Sequence, residues 1–71
     1  MEFYTVLEVQ GAWNNTRASI VNFYEDINQA YARLYTVLAA AAVSDLKYHA
    51  GFMIRSDGVI IAGKVFEKEA N

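Results

Sequence analysis

The sequence of 71 residues lacks cysteine and proline and contains a single histidine, His49. Without cysteine the chain can form neither a disulfide framework nor a thiolate metal site. One histidine excludes a multi-histidine metal site within a single chain, so we predict no metal and no cofactor. No proline-rich, repetitive or low-complexity stretch marks a linker, and the length predicts one domain, residues 1–71.

Positive charge and long apolar runs are also scarce. Six lysines and arginines stand against eight aspartates and glutamates, which gives a net charge of −2. A general nucleic-acid binder usually carries a basic face, so this class is not predicted. The longest apolar run covers seven residues, 37–43, whereas a membrane span needs about 20. Because no secretory signal follows Met1, we predict a cytoplasmic protein without membrane contact.

Apolar residues are abundant for a chain of this size. Hydrophobic types make up 55% of the sequence and aromatic types 14%, a composition that excludes disorder. A chain this short buries only about 60% of the surface that its unfolded form exposes. The excess apolar surface predicts a homo-oligomer. The alternative is a monomer with a tolerated apolar exterior.

Four segments are rich in aromatic and β-branched residues and are predicted to be strands: residues 2–10, 17–24, 47–55 and 59–67. The first two form a predicted hairpin with a turn over residues 11–16, which contain glycine and asparagine. The last two form a second hairpin, because Asp57-Gly58 between them is a strong turn signal.

A helix is predicted over residues 27–43. Asp26 can cap its N-terminus, with Gln29 at the capping-box spacing, and apolar residues then recur at helical spacing. The order β-β-α-β-β predicts an α+β fold, a four-stranded antiparallel sheet with the helix on one face. The other face should present apolar side chains to a partner. Depending on the strand register, these come from Tyr4, Val6, Phe52, Ile54, Ile60 or Phe66.

The second half of the predicted helix is apolar all round, although one sheet covers only one of its sides. A second copy is therefore predicted to cover the other side, through small residues that let helices approach closely. The predicted oligomer interface consists of Leu38, Ala39, Ala40, Ala41 and Ala42. The alternative is that the alanines only reflect helix propensity.

Motifs of common enzyme classes are absent from the sequence. It contains no Gly-x-Ser-x-Gly elbow, no Gly-x-x-x-x-Gly-Lys loop and no Gly-x-Gly-x-x-Gly fingerprint. Anions can still be bound, because arginine pairs with phosphate bidentately and aromatic rings stack on bases. The candidate ligand-binding residues are Arg33, Tyr35, Ser44, Tyr48, His49 and Arg55. A purely structural role is the alternative for each of them, and also for Trp13 at the tip of the first hairpin.

Residues 35–44, Tyr-Thr-Val-Leu-Ala-Ala-Ala-Ala-Val-Ser, followed by His49-Ala50, resemble a family of small proteins encoded by phages and by prophages of gut Firmicutes. Residues 4–10 and 18–21 fit the same family, whereas Asn14-Asn15 departs from the Asp-Gly expected at that place. The resemblance implies a phage origin but no settled activity. In build, the chain is also similar to oligomeric phage proteins that sequester nucleotide immune signals between subunits.

Together, these features predict a phage-type counter-defence protein. It would be a non-enzymatic homo-oligomer that sequesters a nucleotide-derived signalling molecule, a phosphorylated small molecule, at its subunit interfaces. A protein–protein inhibitor or structural interaction module is the second hypothesis, since an apolar sheet face or strand edge can bind a protein. A small oligomeric enzyme that processes a nucleotide at a shared site is the third hypothesis.

Overall fold

The computed structural model describes residues 2–12 and 15–68. The described chain forms the following elements in order: β1 (Tyr4–Ala12), β2 (Asn15–Tyr24), α1 (Ile27–Ala42), β3 (Tyr48–Arg55) and β4 (Ile60–Glu67). The strands make one sheet in the order β2-β1-β3-β4, and each neighbouring pair is antiparallel. This arrangement confirms the predicted α+β fold with two hairpins joined by one helix.

The first hairpin differs from the prediction at its turn. The prediction of a turn over residues 11–16 is wrong, because Gly11 pairs with Thr16 and Ala12 pairs with Asn15 in the β-ladder. Gly11 serves close packing here, since an added Cβ would lie 3.0 Å from Thr16 Oγ1 and 3.3 Å from Tyr48 Cβ. The predicted turn signal at Gly11 is therefore a signal of tight cross-strand contact. The prediction for Trp13 lies outside the described residues.

The helix begins where its capping residue predicts. The Asp26 backbone is extended and its carboxylate accepts a hydrogen bond from the Asn28 N–H at 2.8 Å, which satisfies one free donor of the first turn. At the other end, the N–H groups of Val43 and Ser44 donate to the carbonyls of Ala40 and Ala41. The helix consequently ends at Ala42, one residue before the predicted boundary.

The core lies between α1 and one face of the sheet. Leu34 of α1, Val6 of β1 and Met53 of β3 are its largest fully buried side chains. Gly51 lets the helix approach β3, because an added Cβ would lie 2.9 Å from Val37 Cγ1. We call this face of the sheet the helix side.

The opposite face of the sheet, which we call the open face, has no helix over it in the described part of the chain. The strand register groups its residues into cross-strand rows: Phe23-Thr5-Ile54-Ile60, Ile20-Leu7-Phe52-Gly63 and Ala18-Val9-Ala50-Val65. Within the second row, the Phe52 ring lies against Gly63. The fourth row is more polar and consists of Thr16, Gly11, Tyr48 and Glu67.

Three of the six side chains predicted to face a partner lie on the open face, and these are Phe52, Ile54 and Ile60. The expectation is wrong for the other three. Tyr4 and Val6 belong to the core under α1. Phe66 pairs with His49 on the helix side. The reason is the register, because a strand shifted by one residue exchanges its two faces.

Candidate functional site

The six predicted ligand-binding residues do not converge within one chain. Tyr48 and Arg55 are the first and last residues of β3, so they are separated by about 23 Å along the strand. Tyr48 lies on the open face and Arg55 on the helix side, because residues an odd number apart in a strand point to opposite faces. Arg33 and Tyr35 are exposed on α1.

Three of the six side chains have partners inside the chain. The Ser44 hydroxyl accepts a hydrogen bond from the Leu46 N–H at 3.1 Å and so stabilises the connection after α1. The Arg55 guanidinium donates to both carboxylate oxygens of Asp57, at 2.7 and 3.0 Å. This pairing raises the pKa of Arg55 and lowers that of Asp57. Ser44 and Arg55 therefore act in turn structure.

His49 is the third residue with an internal partner. It is buried on the helix side, and its Nε2 lies 2.7 Å from Glu8 Oε2. Its Nδ1 is buried and has no hydrogen-bond partner among the described residues. An N–H on Nε2 can donate to the Glu8 carboxylate at this distance. The His49–Glu8 pair links β1 to β3 on the helix side of the sheet.

Arg33 has a different environment, because its surroundings are open. It lines a shallow depression of about 420 Å³ together with Tyr24, Gln29, Ala32 and Thr36. Gln29, Arg33 and Thr36 are four and three residues apart, which places them on one face of the helix. No carboxylate within the described ranges forms an ion pair with this guanidinium. The depression thus offers a cation, a phenol ring and an amide at one place, while the Thr36 hydroxyl donates to the Ala32 carbonyl at 3.1 Å.

Tyr35 lies on the same helix and is 62% exposed. Its ring centroid is 5.9 Å from that of Tyr31, at an interplanar angle of 32°. This tilted pair presents aromatic surface to solvent on a different side of α1 from Arg33, because residues two apart in a helix do not face the same way. Such surface can receive a base or another side chain.

The alanine segment of α1 divides between two surfaces. Ala41 is 3% exposed and Leu38 packs against the core, so both face the chain's own sheet. Ala39, Ala40 and Ala42 are exposed. In one chain, therefore, only these three of the five predicted interface residues are available to a partner.

Sequence reasoning missed Tyr24, Gln29 and Thr36 as neighbours of Arg33. The helical spacing of Gln29, Arg33 and Thr36 was visible, but it also fits an ordinary solvated face. Tyr24 ends β2, and no local pattern connects the end of a strand with the middle of a helix. The tertiary packing of β2 against α1 supplies that link.

Other kinds of site find little support in the described part of the chain. No group of three or more histidine, aspartate or glutamate residues there could hold a metal ion. No helix within residues 2–12 and 15–68 has the length and apolar character needed to cross a membrane. Comparison with protein-family models, curated proteins and solved structures finds no match for this chain.

Proposed function

We propose that the protein is a phage-type counter-defence protein that works in the host cytoplasm without catalysis. As a homo-oligomer, it would bind and sequester a nucleotide-derived signalling molecule in clefts between its subunits. The depression around Arg33 carries this proposal, because it combines an unpaired guanidinium with the Tyr24 ring. Arginine pairs with phosphate bidentately and a tyrosine ring can stack on a base.

The shape of the depression supports a site that two subunits share. Ligand pockets usually bury most of their ligand, whereas this depression is shallow and lies on the outer surface of α1. A second subunit packed near Ala39 and Ala40 would give it another wall. At a two-fold interface Arg33 would occur twice, which suits a ligand with two phosphates.

Isothermal titration of the native protein with cyclic dinucleotides and ADP-ribose derivatives tests the proposal. We expect the native protein to bind one class of these compounds. Arg33→Ala should weaken this binding about tenfold to hundredfold, since a hydrogen bond to a charged group contributes about 1.5–3 kcal/mol. Arg17→Ala is the matched control, because Arg17 is also exposed but lies outside this depression, beside Gln10 and Asn15. Absence of heat with every compound at micromolar protein would contradict the proposal.

Recovery of the ligand separates sequestration from catalysis. After incubation and denaturation of the protein, chromatography should return the ligand unchanged and in full amount. A new product would indicate the oligomeric nucleotide-processing enzyme instead.

The open face favours a second candidate function, that of a protein–protein inhibitor or structural interaction module. Exposed apolar patches of this kind commonly bind other proteins. Ile20 and Ile60 there are 57% and 60% exposed. A stoichiometric host protein recovered with the tagged chain, together with silent nucleotide titrations, would favour this function over the first.

A further inference from the structure

Three of the four rows of the open face have the composition of a protein interior. None of the twelve described residues in its three apolar rows is charged, and Thr5 is the single polar side chain among them. Large side chains stand in solvent there: Phe23, Ile20 and Ile60 are 56%, 57% and 60% exposed. Leaving so much contiguous apolar surface in water is unfavourable.

Four of the five charged residues of the described strands lie instead on the helix side, and the fifth, Glu67, lies in the row of Tyr48 at the end of the open face. The register puts Arg17, Glu8, Lys64 and Arg55 on the same side as α1. A soluble two-layer monomer normally has an apolar face under the helix and a polar face in water, whereas this sheet is apolar on its open face as well. The distribution in this chain therefore indicates that both sides of the sheet are covered.

The open face is large enough for a specific interface. Four strands about 4.8 Å apart and eight residues long at about 3.3 Å per residue form a face of roughly 500 Å². Two such faces together bury roughly 1,000 Å² of surface, even without the additional area of the protruding side chains. This area reaches the lower bound of a specific protein interface, about 1,000 Å².

A second copy of the chain fits this face better than a charged or polar partner. The three apolar rows carry no charge, so two copies of them can meet in a two-fold arrangement without placing like charges opposite each other. The two sheets also have the same strand lengths and twist, so they can pack aligned about 10 Å apart. The monomer needs such support, because large fully buried side chains are few among the residues that the structure describes, namely Leu34, Met53 and Val6.

We propose that two copies pack open face against open face, with their helices on the outside. The two sheets then form a shared core in which Leu7, Phe52 and Ile54 meet the partner copy. This inference rests on the oligomer of the proposed function but not on its ligand. It places a two-fold interface on the sheet, separate from the helix contact that the sequence pattern predicts at the alanines of α1.

Mass in solution gives the first test, by sedimentation at micromolar concentration. The native particle should have twice the 8.0 kDa of the chain or a higher even multiple. Ile60→Glu should at least halve this mass. Val59→Glu is the matched control, since Val59 is 48% exposed and its carbonyl pairs with the N–H of Arg55, a residue of the helix side. Both variants have the same net charge, but the control should keep the native mass.

Cysteine labelling gives a second test that does not require a substitution to dissociate the oligomer. The chain has no cysteine of its own, so Ile60→Cys and Val59→Cys each carry a single thiol. At a protein concentration about 100-fold above the dissociation constant, maleimide should label Ile60→Cys more than about tenfold more slowly than Val59→Cys. Both thiols should react alike once the protein is unfolded in urea.

Three outcomes would overturn the inference. The first is a native particle of 8.0 kDa, which would also leave the open face to a different protein. The second is equal labelling of the two single-cysteine variants in the folded protein. The third is dispersal by Ala40→Glu with the native mass retained by Ile60→Glu, which would place the interface on α1. Loss of nucleotide binding alone would contradict the proposed ligand and leave the sheet interface standing.

Discussion

Replacement of Gly63 by alanine tests how closely β4 packs under the Phe52 ring. An added Cβ would lie 2.3 Å from Phe52 Cδ1 and 2.8 Å from the Gly51 carbonyl oxygen. The ring can turn away, but the backbone oxygen can move only if β3 and β4 separate locally. Overpacking costs about 1–3 kcal/mol. Because the second contact is with backbone, Gly63→Ala should lie near the upper end of this range.

Urea unfolding followed by circular dichroism measures this cost. A small protein loses about 1 kcal/mol of unfolding free energy per molar urea, so a cost of about 2–3 kcal/mol lowers the midpoint by roughly 2–3 M. All variants are compared at one protein concentration, because assembly itself raises the midpoint. Gly58→Ala is the control: its added Cβ meets nothing within 4 Å, and its φ of +90° is its source of strain. It should cost about 1–2 kcal/mol.

A Phe52→Leu background separates the ring contact from the backbone contact. Gly63→Ala should cost about 1 kcal/mol less in this background, because residues in direct contact have coupled effects on stability. Gly58→Ala should cost the same with and without Phe52. An unchanged midpoint for Gly63→Ala, or no coupling between positions 52 and 63, would refute the reasoning.

Three further predictions use the same unfolding assay. Leu34→Ala should lower the free energy of unfolding by about 2–5 kcal/mol, since Leu34 is fully buried between α1 and the sheet. Asp26→Ala should cost about 1 kcal/mol through loss of the hydrogen bond to the Asn28 N–H, and an unchanged midpoint would contradict the cap. The hydrogen bond from Arg55 lowers the pKa of Asp57. Its stabilisation is therefore full above the ordinary aspartate pKa and is lost as the pH falls through the lowered folded-state value. Asp57→Asn should remove this small acid-range dependence between about pH 5 and pH 2, and an identical pH profile for the variant would contradict it.

The helix and the strands could be predicted from sequence because their signals are local. Asp26 marks the start of α1, and Asp57-Gly58 marks the second hairpin, where Gly58 has a φ of +90°. The assignment of faces was less accessible, since it depends on register. The register shifts between Val6 and Leu7 in the β1–β2 pair, and again between Met53 and Ile54 in the β3–β4 pair. Bulges of this kind have no reliable signature in a single sequence.

The candidate site was predicted only in part for a related reason. Arginines and aromatic residues are visible in the sequence, but their partners are not. His49 pairs with Glu8 across 41 positions of the chain, and Arg55 pairs with Asp57. Such pairs remove a side chain from the set available to a ligand. Arg33 remains in that set because no carboxylate among the described residues reaches it.

The open face of the sheet and the depression around Arg33 lie on opposite sides of the protein. This arrangement limits how copies of the chain can assemble. A dimer through the open face leaves both α1 helices outside, so each Arg33 depression still faces solvent. A cleft that encloses a ligand at Arg33 then needs a second contact, between helices of different dimers. The exposed alanines Ala39, Ala40 and Ala42 suit that contact, because small side chains let helix backbones approach closely. The open face would therefore stabilise the dimer, while the outer surface of α1 would form the ligand site. Four copies are the smallest closed assembly that uses both contacts.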